Sequence, residues 1–382
     1  MQFHGFKRED GRYGVRNHII VLSSVCCANG VVAAIEREFP DIITVQNAYG
    51  CAFGPQDALT MFVVLTGLAN NPNVGAALIV GLGCEIFPAK NYVEAISGKP
   101  VEAVVIQDGG SAATTRKGIE IIAGFKKHLS VQKRVDAPFS DLIIGLKCGG
   151  SDAFSGVTAN PAVGSAADLL VGAGATAVMG EVTEMIGTAH ILKKRCVDSK
   201  LGNEIEKLIN DHEKEVHEAL GDFAGLVISP GNMDGGLSSI TEKSLGCNAK
   251  SGTTAIKELL AYGAVPSKKG LVIMNTPGYD IDAMAGMAAG GAQIILFTTG
   301  RGTPAGFPAV PVIKISSNSQ TFGRMEGDID INAGSILDDG KSIDDVGHEI
   351  FEHIRRVADG ELTCAEINRS IPFNYLKQGM TF

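Results

Sequence analysis

Short apolar runs rich in β-branched residues recur along the chain, and each is followed by a glycine-rich turn and then by a helical pattern. The first third contains Ile19-Ile20-Val21-Leu22, Ala77-Leu78-Ile79-Val80 and Val104-Val105-Ile106. Near-continuous apolar runs are typical of parallel strands that helices cover on both faces. Later runs of the same kind are Leu142-Ile143-Ile144, Ala177-Val178-Met179, Leu226-Val227-Ile228, Leu271-Val272-Ile273-Met274 and Ile294-Ile295-Leu296-Phe297. The sequence therefore predicts an α/β fold made of two doubly wound, Rossmann-like domains.

The length of the chain, 382 residues, is too great for one typical domain and allows each half to bury its own core. A charged stretch from Lys126 to Pro138 precedes the run at Leu142 and is the best candidate linker. We therefore predict an N-terminal domain over residues 1–137 and a catalytic domain over residues 138–382. Because ligands bind beyond the carboxyl ends of parallel strands, we expect the active site between the two domains.

The formal net charge of −9 argues against a nucleic-acid groove, because phosphate binding depends on clustered lysine and arginine side chains. The first ten residues lack the apolar segment of a signal peptide, and the later apolar runs are short and interrupted. These features predict a soluble, cytoplasmic protein with neither a nucleic-acid nor a membrane partner.

Eight cysteines occur without the compact spacing of a disulfide scaffold. Four of them follow apolar runs or glycine turns: Cys27, Cys51, Cys84 and Cys148. Strand-end placement predicts that they are neighbours in space, and thiolates in open glycine turns can ligate iron or an iron–sulfur cluster. The alternative is that small cysteine side chains pack under the turns.

The turn after the Leu142 run carries Ser151 and Asp152 and leads to Asn160. Free backbone N–H groups in such a strand–turn–helix segment suit a carboxylate, so the sequence predicts a substrate-binding cradle here. The alternative is an ordinary capped helix.

Proton-transfer groups and an anion anchor follow two later strands. Glu181 and Glu184 come after the Met179 run, with His190 at helical spacing beyond them, and paired carboxylates at a strand end suit acid–base catalysis. Arg301 lies in a glycine turn after Phe297, where its planar guanidinium could bind a carboxylate or sulfonate.

Several ordered motifs resemble one enzyme family. They are Asp10-Gly11-Arg12-Tyr13-Gly14-Val15-Arg16-Asn17, Val80-Gly81-Leu82-Gly83-Cys84-Glu85, Ser229-Pro230-Gly231-Asn232, Glu242-Lys243-Ser244-Leu245-Gly246, Asn275-Thr276-Pro277-Gly278-Tyr279-Asp280 and Phe297-Thr298-Thr299-Gly300-Arg301-Gly302. Together they are similar to the large region of the altronate/galactarate dehydratase family, which includes the β subunit of sulfolactate sulfo-lyase.

The resemblance implies a β-elimination that converts an anionic hydroxy acid into a 2-keto acid, with dependence on Fe²⁺ or Mn²⁺. For the residues of these motifs, it implies substrate-binding roles for Arg16, Asn17 and Asn232 and a catalytic role for Lys243. Single-chain relatives carry a small SAF-type module before the arginine–glycine motif, whereas here that motif begins at Asp10. The resemblance therefore also implies a separate small subunit of the SAF type. A homo-oligomer or hetero-oligomer is expected.

Three other functions stay open at this point. A sulfolactate sulfo-lyase β subunit would share the architecture and release sulfite and pyruvate. An NAD-linked dehydrogenase would use a doubly wound sheet, but the turn at Gly81-Leu82-Gly83 lacks the remaining glycine of the dinucleotide motif. A non-enzymatic anion-binding protein would not need cysteines at the strand ends.

Overall fold

The computed structural model describes residues 1–221 and 227–382 and shows a mixed α/β fold with parallel sheets. The strands are β1 (Gln2–Lys7), β2 (Tyr13–Gly14), β3 (His18–Ser23), β4 (Ile43–Val45), β5 (Val74–Gly81), β6 (Val101–Val105), β7 (Val135–Pro138), β8 (Ile143–Cys148), β9 (Thr176–Met179), β10 (Ile256–Leu260), β11 (Gly270–Met274), β12 (Ile294–Thr299), β13 (Val312–Ser316) and β14 (Ile331–Asn332).

The α-helices lie mainly between the strands. They are α1 (Asn29–Glu38), α2 (Pro55–Asn70), α3 (Ala89–Ala95), α4 (Gly110–Leu129), α5 (Ala159–Gly172), α6 (Ala189–Lys194), α7 (Ser199–Leu220), α8 (Pro230–Asp234), α9 (Ile240–Asn248), α10 (Asp280–Ala289), α11 (Ser319–Arg324), α12 (Ser335–Asp338), α13 (Ile343–Asp359) and α14 (Cys364–Ile367). Across the described part of the chain, no helix combines the length and the apolar character needed to cross a lipid bilayer.

A four-stranded parallel sheet in the order β4-β3-β5-β6 forms the centre of the N-terminal part. Successive side chains of a strand point to opposite faces, so β3 contributes Ile19 and Val21 to one core and Ile20 and Leu22 to another. Helices α1 and α4 cover the first face, and α2 and α3 cover the second. The apolar run at Ile19 is therefore buried on both sides, as the sequence predicts.

A seven-stranded sheet in the order β10-β11-β9-β8-β12-β13-β14 forms the centre of the C-terminal part, and all its strand pairs are parallel. Four of its strands, β8, β9, β11 and β12, contain predicted runs, whereas the sequence did not predict β10, β13 and β14. Of the predicted run Leu226-Val227-Ile228, Leu226 lies outside the described residues, and the other two residues do not form a strand. The general α/β prediction is confirmed, and the finer Rossmann-like assignment stays a prediction.

One apolar core joins the two large sheets. It contains Ile20 and Leu22 from β3 together with Val272 from β11 and Phe297 from β12, and helices α2 and α10 pack against each other within it. At their contact, a Cβ added to Gly67 would lie 2.7 Å from the carbonyl oxygen of Ala289, so glycine permits this close approach. The two halves therefore share part of their core, although a second core lies entirely within residues 19–129.

The predicted boundary at residue 137 falls inside strand β7, which pairs antiparallel with β1 in register Phe3 opposite Ala137. Helix α4 continues to Leu129, so most of the charged stretch that the sequence presented as a linker is regular structure. The division into two domains, residues 1–137 and 138–382, stays a prediction.

Candidate active site

Charged side chains meet at the carboxyl ends of three neighbouring strands in the middle of the seven-stranded sheet. Strand β8 ends at Cys148, β9 leads to Glu181 and Glu184, and β11 leads to Asp280 at the start of α10. Because these strands are adjacent in the order β11-β9-β8, residues far apart in sequence become neighbours.

Glu181 adopts a left-handed backbone conformation with φ 68°, which is rare for residues other than glycine. Its amide donates a hydrogen bond of 2.7 Å to Oγ1 of Thr276, and its carboxylate accepts one of 3.1 Å from the amide of Cys148. Strained conformations of this kind persist where the surroundings fix them, and they cluster at functional sites.

Lys147 is fully buried beneath these carboxylates, although it belongs to an apolar strand. Its ammonium contacts the carboxylate of Glu181, lies 2.6 Å from Oδ1 of Asp280, and donates a hydrogen bond of 2.6 Å to the carbonyl oxygen of Cys148. A buried cation of this kind requires several partners, and Lys147 has them.

Lys250 is a second fully buried ammonium, in a short 3₁₀ turn that follows α9. Its Nζ lies 3.0 Å from Glu181 Oε2, 2.9 Å from Glu184 Oε2 and 2.8 Å from Cys148 Sγ. The two lysines therefore hold both glutamates and the cysteine in fixed positions.

The pKa values of the two glutamates move in opposite directions. Burial and the neighbouring charge of Glu184 raise the pKa of Glu181. Burial alone would also raise the pKa of Glu184, but the charges of Lys250 and Lys243 outweigh it and hold that pKa well below its ordinary value. The lysines therefore favour the ionised form of Glu184 more strongly than that of Glu181.

Two thiols lie in the same cluster. Cys148 Sγ donates to Glu184 Oε2 at 2.7 Å and is 3.3 Å from Sγ of Cys247, which lies on α9. Both cysteines are buried. Together with Glu184 they form a group of potential metal ligands whose ligand atoms all lie within 4.8 Å of one another.

A cavity of about 390 Å³ opens onto this cluster. Cys148, Glu184 and Asp280 line it, and so does Lys243, whose Nζ lies 3.0 Å from Glu184 Oε1. The Lys243 side chain is 14% exposed, whereas Lys147 and Lys250 are inaccessible. Lys243 is therefore the ammonium that a bound anion can reach.

The turn after β8 supplies hydrogen-bond donors to the same region. Within the described residues, the amides of Gly150 and Ser151 have no hydrogen-bond partner, and neither has the buried hydroxyl of Ser151. The side-chain nitrogen Nδ2 of Asn232 donates a hydrogen bond of 3.0 Å to the Ser151 carbonyl oxygen, and the side-chain oxygen Oδ1 accepts one of 3.3 Å from Lys243. Free amides next to an ammonium suit an oxyanion.

Comparison with known proteins gives the family. A family model described as "D-galactarate/Altronate dehydratase, C-terminal" matches residues 139–381, and one described as "D-galactarate dehydratase/Altronate hydrolase, second domain" matches residues 5–130. The chain belongs to the galactarate/altronate dehydratase family.

Three relatives illustrate the match. The altronate dehydratase of Bacillus subtilis is 35% identical over 99% of this chain and 78% of its own length, and the galactarate dehydratase (L-threo-forming) of Escherichia coli is 36% identical over 94% and 73%. The (2R)-sulfolactate sulfo-lyase subunit β of Chromohalobacter salexigens is 30% identical over 95% of this chain and 94% of its own length. The family resemblance inferred from the motifs is confirmed.

The structure of this dehydratase-family chain brings part of the predicted site together. Glu181, Glu184, Lys243 and Asn232 lie in or directly beneath the 390 Å³ cavity, and Ser151 lines a smaller cavity of about 310 Å³ on the other side of Lys243. All the residues that line these two cavities belong to the C-terminal part. This candidate site therefore lies within that part and not between the two predicted domains.

Arg16 and Asn17 do not lie at this site. Arg16 is buried, forms an ion pair of 2.7 Å with Glu366, and donates to the carbonyl oxygens of Val357 at 2.8 Å and Glu361 at 2.7 Å. Asn17 accepts a hydrogen bond from the guanidinium of Arg8 and donates to Gln132. The substrate-binding prediction for both residues is corrected, because their polar groups are already used to join chain segments.

The four predicted metal-binding cysteines are divided between two sheets. Cys27, Cys51 and Cys84 are exposed at the carboxyl edge of the four-stranded sheet, whereas Cys148 is buried at the seven-stranded sheet. The prediction that all four are neighbours is wrong, because residues 148 and 84 follow strands of different sheets.

Asp152 and Asn160 have internal structural partners. Asp152 accepts a hydrogen bond of 2.7 Å from the hydroxyl of Ser317, and Asn160 connects the Gly246 carbonyl to the hydroxyl of Thr298. Both residues line the smaller cavity, but these internal hydrogen bonds already occupy their polar atoms.

His190 is exposed on α6 and makes no hydrogen bond with the described residues, so its predicted catalytic role does not agree with its position. Arg301 is exposed and lines a separate cavity of about 690 Å³ together with Arg324. The amide of Arg301 donates to the Gly150 carbonyl at 2.8 Å, so this larger cavity borders the same turn.

Sequence reasoning assigned no role to four residues of the cluster: Lys147, Lys250, Cys247 and Asp280. Lys147 could have been noticed, because a lysine in an apolar strand directly before a strand-end cysteine must find buried partners. Cys247 lies on helix α9 and Lys250 in the turn after it, about 100 residues away from Cys148. No local sequence pattern marks either residue.

Proposed function

We propose that the chain is a lyase that eliminates a hydroxyl group β to the carboxylate of a sugar acid such as altronate or galactarate, giving a 2-keto-3-deoxy acid. The observation that supports this most directly is the cavity at Lys243, where an accessible ammonium, two carboxylates and unpaired amides meet. The names of the relatives at 35% and 36% identity agree with this chemistry.

Lys243 and the amides of Gly150 and Ser151 are proposed to bind the substrate carboxylate. Removal of the proton next to that carboxylate creates an enediolate, whose second negative charge these donors stabilise without rearrangement. The charge of Glu184 raises the pKa of Lys243 despite its burial, so the side chain stays an ammonium throughout the physiological range.

Asp280 is proposed to remove the proton. Its Oδ1 is held by Lys147, while its Oδ2 has no partner among the described residues and the side chain is 36% exposed. Both oxygens of Glu184 are occupied by lysines, so Glu184 fits a role in positioning Lys243. Gly149 permits this arrangement, because a Cβ there would lie 2.5 Å from Asp280 Oδ1.

The proposal is tested by incubating the purified chain with altronate, galactarate and sulfolactate and measuring keto acid and sulfite. We expect keto acid from at least one sugar acid, and Asp280→Asn should lose this activity while the protein stays folded. Sulfite release from sulfolactate alone would favour the second candidate, a sulfo-lyase subunit, which is supported by the 94% coverage of that relative's length. No turnover of any of the three, either by the chain alone or with a small SAF-type protein added, would reject the lyase assignment.

The family resemblance implies Fe²⁺ or Mn²⁺, with an iron–sulfur cluster as an alternative, so the residues must be tested for fit. The buried group of Cys148, Glu184 and Cys247 does not fit a divalent cation, because the ammonium of Lys250 already contacts two of these three side chains. The exposed Cys27, Cys51 and Cys84 stay the proposed ligands because they follow strands or glycine turns, although in the structure they do not form a group of three close ligand atoms. We therefore assign every step of the proposed elimination to side chains and backbone amides of this chain.

A small SAF-type partner subunit is also proposed. The relative whose length this chain matches over 94% is named as a subunit β, which supports assembly with another chain. We therefore run the substrate assay with and without a small SAF-type protein and expect higher turnover in its presence. Equal turnover in both arms would contradict the partner.

Arg301→Lys and Arg301→Ala are both expected to raise KM by about 5- to 30-fold, which corresponds to about 1–2 kcal/mol for an exposed, charge-assisted contact. The reason is that the Arg301 guanidinium has no partner among the described residues and borders the carboxylate-binding turn. The thermal midpoint should not change. Lys200→Met, an exposed change on α7, is the control, and an unaltered KM in both arginine variants would show that Arg301 does not contact the substrate.

A further inference from the structure

Cys148, Glu184 and Cys247 have the composition of a metal site. Two thiolates and a carboxylate are ligands that iron, zinc and cobalt accept, and the three ligand atoms lie within 4.8 Å of one another. All three side chains are buried, and Cys148 and Glu184 also line the 390 Å³ cavity.

The ammonium of Lys250 already contacts two of the three side chains that such a cation would need. It lies 2.8 Å from Cys148 Sγ and 2.9 Å from Glu184 Oε2, and its third hydrogen-bond partner is Glu181 Oε2 at 3.0 Å. An ammonium has three N–H donors, and Lys250 uses all three. It is 0% exposed, so it cannot move into water to admit a metal without breaking these contacts.

The remaining charges also disfavour a divalent cation. The second oxygen of Glu184 is bound by Lys243 at 3.0 Å, and Lys147 lies on the other side of Glu181. Three lysines therefore face three carboxylates before any metal is added, and no excess negative charge attracts one.

The contacts of the thiols also disfavour a metal. Cys148 Sγ donates a hydrogen bond of 2.7 Å to Glu184 Oε2 and lies 3.3 Å from Cys247 Sγ. Metal binding requires thiolates, so coordination would have to displace this thiol hydrogen as well as the ammonium.

We propose that Cys148, Glu184 and Cys247 form a closed, metal-free site whose cation is the ammonium of Lys250, and that removing this ammonium converts the group into a divalent-metal site. The inference does not depend on the lyase activity. It concerns which of two cations, an ammonium or a metal ion, neutralises this buried group.

The first test uses the unmodified chain and Cys148→Ser, each titrated with Co²⁺ under reducing conditions. Thiolate-to-cobalt charge transfer in the near ultraviolet reports bound cysteines, and elemental analysis gives the amount of metal. We expect the same absorption and the same Co²⁺ content in both proteins, because any cobalt must then bind at the exposed cysteines. Loss of absorption and of one Co²⁺ in Cys148→Ser would overturn the proposal.

The second test removes the ammonium. Lys250→Ala is expected to gain one Co²⁺ per chain with strong thiolate absorption and a metal-dependent rise in its thermal midpoint. Lys250→Arg, which keeps the positive charge, should gain neither, and the double variant Lys250→Ala/Cys148→Ser should lose what the single variant gains. A folded Lys250→Ala protein that takes up no additional cobalt would contradict the conversion, and the first test decides the metal-free state even if this variant does not fold.

Discussion

Lys243→Met is expected to lower kcat/KM for the elimination by about 100- to 1,000-fold while the thermal midpoint stays close to that of the unmodified chain. Lys243 is the accessible ammonium of the cluster, and the charge that develops on the substrate carboxylate has no equivalent donor in the cavity. The fold should be preserved, because Lys250 still neutralises Glu184.

The measurement is steady-state kinetics with the substrate that the assay identifies, combined with thermal unfolding. Lys243→Arg keeps the charge but not the shape and should recover only part of the activity. Lys200→Met again serves as the matched control on an exposed helix. A Lys243→Met protein with near-normal kcat/KM would show that the carboxylate binds elsewhere, and the cavity at Arg301 would then be the next site to test.

Arg16→Ala is expected to lower the free energy of unfolding by about 3–5 kcal/mol, because it leaves the partly buried carboxylate of Glu366 and three carbonyl oxygens without their donor. Arg12→Ala is the matched control: its guanidinium is 35% exposed and pairs with Asp10, so a loss of at most about 1 kcal/mol is expected. Chemical denaturation of both variants gives the comparison. Equal losses would show that Arg16 does not stabilise the fold by a buried ion pair.

The pH dependence of the free energy of unfolding gives a second test of the ion pair between Arg16 and Glu366. Burial alone would raise the pKa of Glu366, but the hydrogen bonds and charge of Arg16 outweigh it and hold that pKa below its ordinary value of 4.5. The ion pair therefore contributes its full stability above about pH 4.5, and this contribution is lost as the pH falls through the lower pKa of the folded state. The difference in stability between the unmodified chain and Glu366→Gln should thus be large at pH 7 and decrease on acidification.

Many strands of the fold could be predicted because the apolar runs that indicate them are local in the sequence. A run such as Ile19-Ile20-Val21-Leu22 is apolar on both faces, and both faces of β3 are buried. The order of the strands could not be predicted, because pairing such as that of β8 with β12 joins segments about 150 residues apart. The shared core depends on that order and was therefore missed.

The candidate site was predictable to the extent that its residues follow strands. Glu181 and Glu184 were found in this way, and Lys243 through a family motif. Arg16 was misinterpreted because a glycine-flanked arginine has the same sequence pattern whether its guanidinium binds a substrate or the carbonyl oxygens of its own chain. Only the three-dimensional structure shows which acceptors are within reach.

The helix layer between the two sheets has a consequence for how this chain unfolds. Helix α2 lies in one of the segments that the family models match and α10 in the other, yet each covers apolar surface of its partner. A fragment that ends near residue 137 would leave the α10-facing side of α2 in water and would be prone to aggregate. Heating should accordingly melt both segments in a single calorimetric transition, because the core that they share is lost once the contact at Gly67 and Ala289 separates.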